Sequence, residues 1–206
     1  MARPREISVT AVRDAALDVF REHGYERTSM HDLAEHTGAG NGSIYAAFGS
    51  KEELFREAVA LYEGMEGEPT LQALQEAPTA AAGIEAMLRA NVRSYTRPDL
   101  PTGCMVVLAA TAYTPSTEGI RDFLAEQRRA GTAAVQERLE RGQADGDVPS
   151  GADTGALSVY VMSVQYGLSL QARDGATREE LDTVVDCVLA GWDAMVAARA
   201  VTVGTG

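Results

Sequence analysis

Histidine, cysteine and carboxylate side chains are the groups that could hold a metal ion or carry out acid–base chemistry. The three histidines, His23, His31 and His36, all lie close to the start of the chain. His31 and His36 are five residues apart and do not share a helical face, so they do not converge on one point as metal ligands must. The rest of the chain has no histidine to act beside a nucleophile. We therefore predict no metal site, no cofactor and no enzyme active site.

The two cysteines, Cys104 and Cys187, are far apart in a chain that shows no signal-peptide pattern. We interpret them as reduced thiols in the helical core of a cytoplasmic protein. A redox role for the two thiols is the alternative. No uncharged apolar run is long enough to cross a bilayer, so we predict no membrane span.

Composition indicates an all-α protein with an acidic surface. The chain has 206 residues, is rich in alanine and has only 6% aromatic residues, a balance that favours helices over sheets. Its formal net charge is −12, of which −3 falls on the first 62 residues and −9 on the remainder. This acidity predicts weak non-specific affinity for nucleic acid, so any such binding must depend on a few well-placed groups.

One stretch, residues 28–54, predicts two short helices joined by a turn and followed directly by a third helix. Hydroxyl residues cap the first helix, and Gly38 supplies the permissive backbone of the turn. The second helix, about residues 40–48, has Ile44 and Phe48 on one face and small or polar residues elsewhere. Such a helix–turn–helix suits insertion of its second helix into the major groove of DNA.

This stretch, with the residues before it, resembles the N-terminal domain of the TetR family of bacterial transcriptional regulators. The resemblance covers only the first part of the chain and is carried by Gly24-Tyr25, Thr28-Ser29, Leu33-Ala34, Gly38, Gly42-Ser43-Ile44-Tyr45, Phe48 and Lys51-Glu52-Glu53-Leu54. It implies an all-α fold in two parts. Residues 1–62 would form a three-helix DNA-binding domain with a helix–turn–helix, and residues 63–206 a larger helical domain for ligand binding and dimerisation.

The resemblance also implies which residues contact DNA. Phosphates would be bound by Thr28, Ser29, Tyr45 and Lys51, a base or phosphate by His31, and base edges by Asn41, Gly42, Ser43 and Ala46. Asn41 is the best single candidate for direct readout, because asparagine pairs well with adenine. Lys51 lies at a helix start, where the macrodipole disfavours a cation, so an external phosphate or simple solvation would explain it. Arg3 and Arg5 would either contact DNA or belong to a frayed tail.

The remaining chain predicts a loose segment over residues 64–83, with one short helix near residues 71–75, and then five helices. The last two, Asp153 to Ala172 and Thr177 to about Ala198, are apolar on more of their surface than one chain obviously covers. We therefore predict a homodimer formed through them, with interface residues Leu157, Val161, Val164, Leu168, Val184, Val188, Trp192 and Met195. A two-layer monomer with these residues in its core is the alternative.

Uncharged residues on the body helices could converge on a pocket for a small-molecule effector of unknown identity. They are Met87, Asn91, Tyr95, Cys104, Leu108, Phe123, Gln127, Tyr160, Gln165 and Tyr166. The predicted function is a ligand-responsive, DNA-binding regulator, a repressor released from a palindromic double-stranded operator by a small molecule. The alternative is a small-molecule sensor or carrier that does not act through DNA, and salt-dependent duplex binding would separate the two.

Overall fold

A computed structural model of the chain describes residues 8–109 and 114–198, and every regular element in these two ranges is helical. This confirms the predicted all-α fold with an N-terminal helix–turn–helix and a larger helical body. The N-terminal part, which we call the head, contains α1 (Val9–His23), α2 (Met30–Thr37), α3 (Asn41–Phe48) and α4 (Lys51–Tyr62).

Side-chain caps and two glycines determine where the helices of the head begin and end. The Ser29 hydroxyl accepts from the Asp32 backbone N–H, while the Asp32 carboxylate accepts from the Ser29 N–H, which forms a capping box at α2. Ser50 caps α4 through the Glu53 N–H. Gly24 and Gly38 end α1 and α2 with φ of 73° and 68°, values that favour glycine.

An aromatic cluster holds α4 against α1. The ring of Phe55 meets those of Phe20 and Tyr25 edge-on, with centroid separations of 5.0 and 5.1 Å. The Lys51 ammonium completes this corner. Its Nζ lies 4.0 Å from the centroid of the Tyr25 ring and donates to the backbone carbonyls of Tyr25, at 2.9 Å, and Thr28, at 2.8 Å. Lys51 therefore ties the start of α4 to the turn between α1 and α2.

The body continues from the head without a loose segment. A π-helical turn (Glu63–Gly67) follows α4 directly, and the helices after it are α5 (Glu68–Glu76), α6 (Ala80–Tyr95), α7 (Met105–Leu108), α8 (Glu118–Asp145), α9 (Thr154–Arg173), α10 (Arg178–Ala190) and α11 (Trp192–Ala198). The expected loose segment over residues 64–83 is thus wrong, because only residues 77–79 separate its helices. The domain boundary after Tyr62 stays a prediction.

Helix α6 is central to the body and packs against α5, α8, α9 and α10. Its buried face includes Ile84, Leu88 and Val92. On its other side Arg89 forms ion pairs with Asp182 and Asp186 of α10, at 3.2 and 2.6 Å. These carboxylates raise the pKa of Arg89, although such exposed pairs contribute little to stability.

Most of the predicted dimer residues lie in the core of the single chain. Leu157, Val161, Leu168, Val188 and Trp192 are buried there, and Val164 and Met195 are half-buried. Of the predicted set only Val184 is well exposed, at 42%. The expectation is corrected in this respect, because the most regular apolar stripe of each helix faces the body. The exposed apolar residues of α9 are others, namely Val159, Tyr160 and Leu170.

Several contacts join the head to the body, among them hydrogen bonds from Thr114 and Thr117 to the Glu26 carboxylate. Arg21 of α1 donates to Glu66 of the π-helical turn at 3.1 Å, and the two side chains are only 3% and 8% exposed. The guanidinium of Arg56 lies 4.4 Å from the centroid of the Phe123 ring on α8. Arg173 of α9 donates to the Glu22 carbonyl. The position of the head therefore depends on side chains from α8, α9 and the π-helical turn.

None of the helices in the described ranges is both long and apolar enough to cross a membrane.

Glycine at position 83 permits the close approach of α5 and α6. A Cβ there would lie 2.5 Å from the Leu74 carbonyl oxygen. We expect Gly83→Ala to destabilise the protein by about 1–3 kcal/mol through this overlap, although alanine normally favours a helix. In Gly119→Ala of α8 the new Cβ would meet only Glu52 Oε1 at 3.7 Å, so this control should leave stability unchanged or raise it slightly. Urea unfolding measures the free energy of unfolding of both variants. It should be lower than that of the wild type for Gly83→Ala but not for Gly119→Ala, and equal values for the two variants would contradict the overlap.

The Lys51 contacts generate a second prediction about stability. Lys51→Met keeps the aliphatic chain and removes the donor from two carbonyls, so we expect a loss of about 1–2 kcal/mol. Arg13→Met is the matched control, since among the described residues Arg13 pairs with its neighbour Asp14 at the surface. Chemical denaturation measures both. Equal and negligible effects would contradict the structural role of Lys51.

Candidate nucleic-acid interface and effector cavity

The outer face of α3 is the surface best suited to enter a DNA groove. Ile44 is the only buried residue of α3 and Phe48 is half-buried, so these two hold the helix on the head. The remaining side chains are exposed and small or polar apart from Tyr45, and they include the predicted contacts Asn41, Gly42, Ser43, Tyr45 and Ala46. Small side chains let the helix backbone approach a groove closely.

The start of α3 has no side-chain cap, because Gly40 occupies the N-cap position. The Ser43 N–H donates to the Gly40 carbonyl at 2.8 Å, which leaves the N–H groups of Asn41 and Gly42 without a side-chain cap, and such groups suit a phosphate oxygen. His31 and Ser29 are exposed near the start of α2, although the Ser29 hydroxyl is engaged by Asp32. These hydrogen bonds from Ser29 hold the pKa of Asp32 below its ordinary value, so a negative charge remains beside the predicted contact.

Two of the predicted phosphate contacts are corrected by the structure. Thr28 is only 1% exposed, and its hydroxyl donates to the Gly24 carbonyl at 2.7 Å. The Lys51 ammonium was expected to indicate an external anion, but it is bound by the carbonyls of Tyr25 and Thr28. Burial also lowers the pKa of Lys51. Both side chains thus have internal partners that account for them. Arg3 and Arg5 lie outside the described residues.

A cavity of about 420 Å³ lies in the body, below the point where α4 enters the π-helical turn. Seven of the ten predicted ligand residues line it: Met87, Asn91, Tyr95, Cys104, Gln127, Gln165 and Tyr166. The other three lie elsewhere. Leu108 packs over Gly103, Phe123 lies beneath Arg56, and Tyr160 is 41% exposed on the surface of α9. These seven residues remain predicted ligand contacts, and all of them line the same cavity.

Sequence reasoning missed the part of the cavity wall that comes from the π-helical turn. This part comprises Tyr62, Glu63, Gly64, Glu66 and Gly67. The two glycines favoured a loop, while a π-helical turn has no distinct composition. The one signal in the sequence was the run of acidic residues at positions 63, 66 and 68 directly after an apolar helix.

Hydroxyl and thiol groups meet at the inner end of the cavity. Gln165 Nε2 donates to the Tyr95 hydroxyl at 3.1 Å, and the Tyr62 and Tyr95 hydroxyls lie within hydrogen-bond reach of the Cys104 thiol. Burial raises the pKa of Tyr62, Tyr95 and Cys104, so all three stay protonated at neutral pH. A protonated, buried thiol is a poor nucleophile. Cys187 is exposed, and both cysteines are free.

Carboxylates supply the negative charge of the cavity wall. Glu66 accepts from Arg21 and from the Ser94 hydroxyl. Burial raises the pKa of Glu63, whose carboxylate also lies near Tyr95 and Cys104. Within the described ranges, no group of three or more histidine, cysteine, aspartate or glutamate side chains could hold a metal ion. The cavity can therefore bind an organic molecule through apolar, hydroxyl, amide and carboxylate groups.

Comparisons with known proteins agree with this arrangement. Residues 12–58 match the family model of bacterial regulatory proteins of the tetR family, and residues 80–188 match the tetracyclin repressor-like C-terminal domain. The transcriptional repressor ComR of Escherichia coli is 30% identical over 94% of this chain and 93% of its own. The repressor BdcR of the same organism is 26% identical over 87% of this chain and 86% of its own.

A solved structure adds the link to DNA. A cysteine mutant of the TetR family regulator CifR, complexed with 26-base-pair operator DNA, is 41% identical with a TM-score of 0.89. That match covers 93% of this chain and all of the CifR chain. Two matched family models, full-length repressor relatives and the exposed helix–turn–helix lead to one conclusion: this chain belongs to the TetR family of DNA-binding transcriptional regulators.

Proposed function

We propose that this regulator is a homodimeric repressor that leaves its operator when a small molecule fills the body cavity. The observation that carries the proposal is the shared wall: the π-helical turn that lines the cavity is continuous with α4 of the head. Because α4 packs on α1 and contacts α3, a displacement of this turn reaches the helix that faces DNA.

The ion pair between Arg21 and Glu66 gives this coupling a second route. Arg21 belongs to the head and Glu66 to the cavity wall, so a ligand that shifts Glu66 also shifts α1. A ligand changes such an equilibrium only when it binds one arrangement better than the other. Since an operator with two half-sites requires a fixed spacing of the heads, a ligand that favours another spacing weakens DNA binding.

DNA binding would then depend on the outer face of α3 rather than on charge. The corrected set consists of Ser29, His31, Asn41, Gly42, Ser43, Tyr45 and Ala46, with the first N–H groups of α3 as phosphate donors. Asn41 leads this helix and is exposed, so its amide can reach an adenine edge. The operator bound by CifR supports such a target for this chain.

The dimer would form through the faces of α9 and α10 that the chain leaves exposed. Val159 and Leu170 are 59% and 51% exposed on α9, and Val184 is 42% exposed on α10. Gly167 lies between the first two with open space around it, which permits close helix approach. Two copies of this face would cover the apolar surface that remains in one chain.

This proposal assigns no enzymatic role to the body, which contains no histidine. A regulator of bacterial genes works where the chromosome lies, so the cytoplasm remains the expected location.

The proposed reading of DNA by α3 can be tested with one substitution. Asn41→Ala should weaken binding to the preferred duplex by about 1–3 kcal/mol and relax discrimination at one base pair. A duplex selected from a random pool by the wild-type protein and a scrambled duplex would be compared by fluorescence anisotropy across a salt series. Gln136→Ala, on the distant helix α8, is the control. A loss that is the same on both duplexes would make Asn41 a backbone contact.

The proposed dimer face generates a further prediction. Val184→Asp and Leu170→Asp place a charge on an exposed apolar position, so each should yield a folded monomer. Val188→Asp, one turn away but buried in the chain, should unfold the body instead. Light scattering measures the mass and circular dichroism the fold. A wild-type protein that is monomeric at micromolar concentration, or a Val184→Asp protein that remains dimeric, would refute this face.

A further inference from the structure

The carboxylate of Glu63 stands apart among the charged groups of the cavity. Among the residues that the structure describes, no hydrogen bond or ion pair involves it, although the side chain is half-buried in the cavity wall. Burial alone accounts for its raised pKa. A carboxylate that is desolvated without a partner costs free energy, and a cation that enters the cavity would remove that cost.

The other acidic residues of the wall differ from Glu63. Glu66 is neutralised by Arg21 at 3.1 Å and accepts a hydrogen bond from Ser94. Glu68 is exposed to solvent, where water screens its charge. Among the described residues, the π-helical turn therefore presents to the cavity one half-buried carboxylate that has no counter-charge.

The glycine at position 67 leaves space for the Glu63 carboxylate. A Cβ atom at position 67 would overlap Glu63 Oε2, so only glycine leaves room for the side chain where it lies. The Glu63 carboxylate therefore lies beside Gly67, at the other end of the π-helical turn. Single-turn π-helical segments such as this one are found frequently at functional sites.

Aromatic and apolar groups surround the same space. The rings of Tyr62, Tyr95 and Tyr166 line the cavity together with Met87 and Met162. Ring faces attract cations, and the Tyr62 ring already has the Arg21 guanidinium 5.1 Å from its centroid. An amine with an apolar body would find both a carboxylate and aromatic rings here.

The cationic residue of the wall is Arg128. Its Nη1 donates to the Val106 carbonyl at 3.1 Å, and the side chain forms no ion pair with Glu63 in the described part of the chain. An anionic ligand would use Arg128 rather than Glu63, so the two ligand charges make opposite predictions.

We propose that the cavity takes an effector with an apolar body and a cationic amine, and that the Glu63 carboxylate is the counter-charge of that amine. This assigns a chemical class to the effector of the same cavity and thus rests on the proposed function. The amine nitrogen lies against the π-helical turn, while the apolar body extends towards Met87, Met162 and Tyr166.

Three probes of equal length test the assignment on the full-length protein without DNA. They are 4-phenylbutylamine, 4-phenylbutanol and 4-phenylbutyrate, which carry a positive, a neutral and a negative group, and calorimetry measures their affinities. The wild-type protein should prefer the amine over the alcohol by about tenfold or more. Glu63→Gln should lose this preference but keep its affinity for the alcohol. Glu68→Gln is the matched control and should keep the preference.

The proposal is overturned by equal affinities for amine and alcohol, by absence of amine binding, by preference for the butyrate, or by a preference that survives in Glu63→Gln. Duplex binding of the same preparations, with and without the amine, separates this result from the proposed function. A protein that binds the amine through Glu63 yet keeps its duplex affinity supports the site and refutes the ligand response. If other compounds release the protein from the duplex but the amine does not bind, the ligand response is supported and the amine site is refuted.

Discussion

The buried ion pair between Arg21 and Glu66 is the contact on which the arrangement of head and body depends. Both side chains are almost fully removed from water, and Nε and Nη2 of Arg21 have no partner among the described residues. Breaking such a pair typically costs about 3–5 kcal/mol, because the remaining charge stays buried. The pair therefore fixes α1 on the π-helical turn. Since that turn is also a wall of the cavity, the pair connects the cavity wall directly to the head.

The acidic head has few cations to offer to DNA, and two of its basic side chains are bound inside the structure. The first 62 residues have a formal charge of −3. Lys51 uses its ammonium to hold the turn between α1 and α2, and Arg21 uses its guanidinium to hold the body. What remains on α3 is a short helix of small residues with an uncapped N-terminus. If α3 enters the groove as proposed, shape and backbone donors take the place of charge on that helix.

The sequence was sufficient for the parts of the fold that depend on local chemistry. Ser29, Ser50, Gly24 and Gly38 mark helix ends by capping or by a left-handed backbone, and both effects can be recognised from neighbouring residues. It was insufficient where a residue's partner is distant. The carbonyls of Tyr25 and Thr28 that bind Lys51 are brought there by tertiary packing. The sequence did not show which side of α9 faces the body, because this helix has two apolar faces. Val161 lies on the buried face and Val159 on the exposed one.

Lys51 is the only lysine in the chain. A reagent directed at primary amines therefore has a single side chain to modify, apart from the amino terminus. That amine is engaged by two carbonyls, so acylation there competes with these two hydrogen bonds. The rate of acylation at this position then measures how readily the Lys51 ammonium leaves the turn between α1 and α2, at one known position in the head.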